Sequence, residues 1–289
     1  MADINRNSIS LPADVTGEII AKVQEQSAIM RLARQITLPG RGVSIPVITA
    51  DPTAAWVGET AAKPVSNSGL NAKVLRPYKI AVIETFSKEF TRDAAALYDA
   101  LIARLPLALA KVFDATVIGA VNKPGSDFDN LAAATAQSIA TDAYAGLVAA
   151  DADIAAAGGI MNGLALSPQA RGILLSAVDS TGRPLFLNSV TEGAVDRVLG
   201  APVAMNKALY KAGTSSVPAV VGIAGDWTQA VYGTVNGVEI SITDTATLTS
   251  GDETINLWQQ NMVAVRAEIE VGFRADVTAF NLLTGATAT

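Results

Sequence analysis

The feature that most limits what this 289-residue chain can become is a run near its C-terminal end in which side-chain character alternates without a slip. Val263, Val265, Ala267, Ile269, Val271, Phe273, Ala275 and Val277 hold the odd positions, and Arg266, Glu268, Glu270, Arg274 and Asp276 hold even ones. Successive side chains of a strand point to opposite faces, so a period of two gives one apolar face and one wet or ion-paired face. The run predicts a long strand over 261–280, or two joined at a bend or bulge at Gly272, on a half-buried sheet.

The rest of the chain must supply that sheet's partners. Val15, Ile19, Ile20, Val23 and Met30 recur at helical spacing and predict an amphipathic helix over about 14–33, with Asp14 as N-cap. After Pro39-Gly40-Arg41-Gly42 the period becomes two, giving strands at Val43–Ile48 and Tyr78–Phe86 around a polar, Gly/Pro-punctuated stretch. That stretch reads as an extended hairpin, which in isolation is marginally stable in water and must pack on its own domain or on another subunit. Phe90, Ala94, Leu97, Leu101, Leu105, Ala108, Val112 and Ala115 predict the strongest helix, ending near Gly119. Pro106 inside it removes the amide bond back to Ile102 and predicts a kink or a break. Further on, helices are expected over Ile139–Ala157 and Pro168–Val178, with short strands at Ile160–Leu166, Ala201–Met205, Ala219–Ala224, Ala230–Gly233 and Val238–Thr243.

Composition removes most catalytic chemistry. The chain has no Cys and no His, so it offers no thiolate nucleophile, no Ser-His-Asp triad and no zinc site of the usual kind. A formal net charge of −6 is not the footprint of a nucleic-acid binder. No phosphate-cradling glycine loop is present, and Asp127 and Asp129 have a calcium-like spacing without the turn glycine or the distal Glu. Asp151 and Asp153 read as the solvated face of an Ala-rich helix. No signal peptide and no run of about 20 apolar residues is visible, so no membrane role is expected. Only 17% of residues are charged against 50% hydrophobic, which suits surfaces covered by neighbouring subunits but also an ordinary Ala-rich domain.

Seven ordered segments carry a resemblance: Leu11–Ile48, Ala54–Asn67, Val74–Asp93, Leu164–Phe186, Val198–Lys207, Val221–Gly233 and Asn256–Leu283. Together they are similar to the major capsid proteins of tailed bacteriophages, whose fold is the Hong Kong 97 type, or Johnson fold. The resemblance implies an α+β chain with residues 1–35 as an N-terminal arm and 50–78 as an extended loop, containing Trp56, Gly58 and Glu59, that lies over a neighbour. It implies a peripheral domain of 36–49, 79–120 and 254–283 with a long spine helix kinked at Pro106. Residues 121–253 would form the axial domain and 284–289 a tail.

The function so implied is a structural, non-enzymatic subunit, without cofactor, that assembles through pentamers and hexamers into the icosahedral head of a virion. It would enclose double-stranded DNA without sequence-specific contacts, for which a net negative charge is suited, since a cationic lining would retain the genome. Assembly would take place in the host cytoplasm, with a portal, a separate scaffolding protein and in some cases a decoration protein as partners. The scaffold is expected to be separate because Met1 lies only a few residues before the matching arm. Some members weld subunits through a Lys–Asn isopeptide bond assisted by a Glu; the matching positions are Lys63 or Lys73, Asn261 and Glu268. The plain alternative is surface lysines, a strand-end Asn and one charge on a wet face. The rival functions are an encapsulin-like shell holding cargo protein, a carboxylate enzyme and an adhesion module.

Overall fold

In a computed structural model of the chain, the described residues are 23, 27–50, 54–57, 63, 65, 69–88, 94–186, 196–235, 239–250 and 253–287. The first half contains α1 (Ala28–Leu32), β1 (Arg34–Thr37), β2 (Val43–Ala50), β3 (Gly69–Leu75), β4 (Tyr78–Ser87) and α2 (Ala94–Val117), followed by β5 (Thr135–Ser138) and α3 (Ala143–Ala156). Then come β6 (Gly163–Leu166), α4 (Pro168–Ser176), β7 (Arg197–Val198), β8 (Ala201–Met205), β9 (Pro218–Gly225) and β10 (Ala230–Thr234). The chain ends with β11 (Glu239–Thr243), β12 (Thr247–Ser250), β13 (Glu253–Asn256), β14 (Met262–Ala275) and β15 (Phe280–Thr287). The content is mixed α+β, as expected.

The alternating run becomes β14, the centre of a five-stranded sheet. One edge pairs antiparallel with β4 over Met262–Val271; the other pairs with β11 over Ala264–Glu268 and with β10 over Val271–Ala275. β1 extends the sheet parallel to β10. The odd residues Val265, Ala267, Ile269, Val271 and Phe273 are buried against Leu105, Leu109, Phe113 and Val117 of α2. Phe113 sits among the rings of Phe128, Tyr232 and Phe273, at centroid distances of 6.2, 6.5 and 6.0 Å, near edge-on to each. Edge-to-face aromatic pairs of this kind add to the stabilisation given by buried area alone.

The second sheet has six strands in the order β5-β15-β9-β6-β8-β7. Helices α3 and α4 cover one face, where Leu147, Ala150, Ile154, Ala170 and Leu174 pack on Leu164, Leu166, Val221, Ala224 and Leu283. The neighbouring residues Ala165, Ile223, Phe280 and Leu282 belong to the core that α2 shares with the first sheet. A strand sheet buried on both faces has no need of polar alternation, and β6 and β9 are almost wholly apolar.

Two matched turns carry the chain between the sheets. β9 passes to β10 through Asp226-Trp227-Thr228, and β14 passes to β15 through Asp276-Val277-Thr278. In each, the Asp carboxylate accepts the Thr backbone N–H and hydroxyl: 3.0 and 2.6 Å at Asp226, 3.1 and 2.8 Å at Asp276. The turns also hold each other, since Asp226 N–H donates to the Ala279 carbonyl at 3.0 Å and Asp276 N–H to the Gln229 carbonyl at 3.2 Å. At Asp226 burial pushes the carboxyl up, but donors from Thr228, Ile160 and Asn162 outweigh it and leave it below its ordinary value.

Several expectations need correction. The strand does not run over 261–280: β14 stops at Ala275, Val277 lies in a 3₁₀ turn, and β15 belongs to the other sheet. Gly272 is no bulge, because the register through it is unbroken; a Cβ there would stand 2.5 Å from the Arg76 carbonyl oxygen, so the glycine permits a close backbone approach. The sheets also do not divide at residues 121, 253 and 254. β10 and β11 join the first sheet, and β15, spanning the expected peripheral segment and the tail, joins the second.

α1 is a separate five-residue helix, with Ser27 in an extended N-cap conformation, so no continuous helix runs through residue 27; positions 14–22 and 24–26 lie outside the described residues. Helix α2 runs unbroken from Ala94 to Val117 through Pro106, so no helix break occurs there. Its buried stripe beyond Leu105 follows Leu109, Phe113 and Val117, and Val112, expected inside, is 42% exposed. Asp153 is not simply solvated, since its carboxylate accepts from the Gln137 and Asn281 side-chain amides at 2.6 and 3.3 Å. Among the described residues no helix is long and apolar enough to cross a membrane.

Candidate functional site

The features that could meet another molecule gather around the β2–β3 hairpin and its root. β2 and β3 pair antiparallel from Val43↔Leu75 to Ala50↔Gly69 and form a two-stranded sheet separate from the two larger ones. Beyond the paired strands Trp56 is wholly exposed, and Val57, Lys63 and Val65 are exposed as well. Gly58 and Glu59 lie outside the described residues.

The root of this hairpin is fixed by apolar packing of Val43, Ile45 and Leu75 with Leu38 and Val231, and by charge. Arg274, at the end of β14, splits its guanidinium between two carboxylates: Nη1 donates to Asp129 Oδ1 at 2.8 Å and Nη2 to Asp127 Oδ1 at 2.9 Å. Its Nε donates to the Val74 carbonyl on β3 at 2.8 Å. Arg76 Nε lies 3.4 Å from Asp127, and Lys73 Nζ lies 3.9 Å from Asp129 and 3.4 Å from the Ala275 carbonyl. A planar fork bound bidentately in a partly desolvated site fixes geometry better than a lysine could. The spacing of Asp127 and Asp129 thus serves Arg274, and no group of residues fit to hold a metal ion occurs among the described residues.

Of the residues matched to the crosslink, Lys73, Asn261 and Glu268 are not brought together within one chain. Asn261 closes the turn before β14 in a left-handed conformation (φ 53°), with its carbonyl accepting the Lys88 N–H at 2.9 Å. Lys73 is tied to the opposite end of β14, 14 residues from Asn261, which is roughly 46 Å of extended strand. Glu268, seven residues from Asn261, is roughly 23 Å away on the same basis. Lys79 Nζ donates to Glu268 at 2.9 Å and Arg266 Nε lies 3.3 Å from it. The Lys79 hydrogen bond holds the Glu268 carboxyl below its ordinary value, the opposite of what a proton-accepting base needs.

One buried acid was not singled out by sequence reasoning. Asp114 on α2 is fully buried and binds the N-terminus of α1: it accepts the Ser27 hydroxyl at 2.6 Å and the Ala28 N–H at 3.0 Å. It also accepts the Asn206 amide at 2.7 Å, so one carboxylate joins α1, α2 and the segment after β8. Desolvation pushes it up to about 7 despite these donors. An Asp in the middle of an apolar helix, next to the buried Phe113, was the available signal.

With this geometry in view, comparison with known proteins gives a single answer. The Phage capsid family matches residues 8–284. The probable major capsid protein gp17 of Mycobacterium phage L5 is 32% identical, the alignment covering 94% of this chain and 88% of that protein. The major capsid protein of Staphylococcus phage 80alpha is 27% identical over 94% of this chain and 83% of its own. A solved structure from Gordonia phage Cozz superposes with a TM-score of 0.71 at 26% identity, covering 91% of this chain and 87% of that one. The fold is that of a shell-building structural protein, and the chain belongs to the Phage capsid family.

Proposed function

We propose that this chain is the major capsid protein of a tailed phage and builds an icosahedral head around double-stranded DNA. The observation that carries this reading is the match of nearly the whole chain to the capsid family together with Trp56, between β2 and β3, left in water. A single sequence that closes rings of both five and six copies uses heterologous head-to-tail contacts with some give in them. In this reading α2 is the spine helix and residues 50–78 the loop laid over a neighbour. Residues 1–35 are the arm, and the six-stranded sheet with α3 and α4 is the axial domain. Pro106, which leaves the Ile102 carbonyl without its amide, is the point at which α2 bends to suit either ring.

The net charge of −6 supports enclosure of DNA without binding it. Portal and scaffolding proteins, with a decoration protein where one is present, are the further partners in the host cytoplasm and the virion. The cation clamp on Glu268 favours a shell without isopeptide bonds. The test is electron microscopy of the purified chain, alone and co-expressed with its phage neighbours, followed by denaturing electrophoresis. Closed shells holding DNA, and a single band near 30 kDa, are expected. A monodisperse small oligomer under all conditions overturns the proposal, and a high-mass ladder overturns its uncrosslinked form.

A further inference from the structure

We propose that a groove between β4, the C-terminal half of α2 and the turn over 121–128 is the socket for Trp56 of a second copy of this chain. The inference rests on the self-assembly reading above and names the contact that reading requires. The groove has a volume of about 260 Å³, with Phe113, Phe128 and Val271 at its base and Val112, Val121 and Pro124 at its sides. It is smaller than the ~300–1,000 Å³ typical of small-molecule sites and is suited to one bulky side chain. Val112 and Val121 are 42% and 45% exposed, so the subunit by itself leaves these walls wet.

The knob is equally unsatisfied. Trp56 is wholly exposed, with exposed Val57 beside it. Aromatic anchors entering preformed apolar pockets dominate many protein interfaces, and an indole also needs an acceptor for its N–H. Thr116 supplies one: its hydroxyl donates to the Val112 carbonyl at 2.7 Å, which leaves its lone pairs free to accept on a residue that lines the groove.

Charge selects the same occupant. Lys123 stands between the lining residues Asn122 and Pro124, and Lys111 directly precedes Val112; both are exposed and have no ion pair among the described residues. In the sequence Trp56 is flanked by Asp51 and Glu59 with no charge between them, so an anionic loop meets a cationic rim. Knob and socket lie on different parts of the subunit, so the contact is head-to-tail and propagates around a ring.

Because the chain contains no cysteine, the contact can be read by disulfide formation on a clean background. The double variant Trp56→Cys/Val121→Cys is assembled, oxidised and run on a non-reducing denaturing gel. A ladder from dimer upward, present in neither single variant, is expected. Assembled shells without a ladder, or a fast-running monomer whose loop is joined to its own body, overturn the socket. If that variant does not assemble, the charges decide. Lys123→Glu is expected to lower shell yield at least tenfold and Glu59→Lys in the same chain to restore it; an unchanged yield or absent restoration overturns the inference. Failure of the unmodified chain to form shells with its phage neighbours would sink the capsid reading itself, whereas shells with no Trp56–Val121 link sink this contact alone.

Discussion

β14 and the β2–β3 hairpin are both strand structures, yet they solve the burial problem in opposite ways. The odd residues of β14 all find cover within the chain, under α2 and the rings around Phe113, and its even residues find counter-charges such as Lys79 for Glu268. The hairpin is anchored by the Arg274 fork at its root, but its far end leaves Trp56, Val57 and Val65 in solvent. Only the root of the ribbon finds apolar cover, where Val43, Ile45 and Leu75 pack with Leu38 and Val231, and a two-stranded ribbon beyond that point is marginally stable by itself. The body is therefore a self-sufficient fold, while on the proposed reading the ribbon is completed by a neighbour. On that reading the chain separates stability from assembly by placing them in different segments.

That separation can be broken at several points. Phe113→Ala, at the centre of the aromatic cluster, is expected to destabilise the subunit by about 3–5 kcal/mol, read as a lower urea midpoint. Arg274→Met removes the cation from two partly buried carboxylates and the donor from Val74. A loss of about 2–4 kcal/mol is expected, with the hairpin cut by protease before the body; cleavage of both at the same rate would deny the root its anchoring role.

Asp114 gives a pH test. Its carboxyl is raised in the folded state from the ordinary 3.8 to about 7, so between those values the folded chain binds the proton more readily than the unfolded one. Stability from this site is accordingly greatest at low pH and falls by about 1–3 kcal/mol as pH rises from about 4 to 7. Carboxyls held low, such as Asp226 and Glu268, have the opposite sign and lose their contribution as pH falls below their ordinary 3.8 and 4.5. Thermal melts over pH 4–7 should show the slope, and Asp114→Asn should flatten it. The smallest effect is expected at the ribbon: Trp56→Ala should change subunit stability by less than about 0.5 kcal/mol while abolishing shells. A large drop in melting temperature would mean that the ribbon belongs to the body after all.

Much of the fold was legible because it is written in local period. The alternation of β14, the apolar run of β6 and Pro168 at the first position of α4 need only neighbours in sequence to be read. The exchange of β15 into the other sheet was not legible, because Val277 continues the alternation by one step while Asp276 and Thr278 close a turn. The burial of Phe113 and Asp114 in place of Val112 follows from where α1 lands on α2, a contact 86 residues away in sequence.

The amino-acid order by itself determined that this is an α+β chain without thiol or imidazole chemistry, dominated by one long amphipathic strand and one long helix. The period of apolar residues and the absence of a residue type are properties of the string. Only the tertiary structure decided which strands share a sheet, that Asp127 and Asp129 serve Arg274, and that Trp56 is left without cover while a groove stands open across α2. Those are outcomes of which surfaces meet, and burial, desolvation and ion pairing act between surfaces that the order of residues does not by itself bring together.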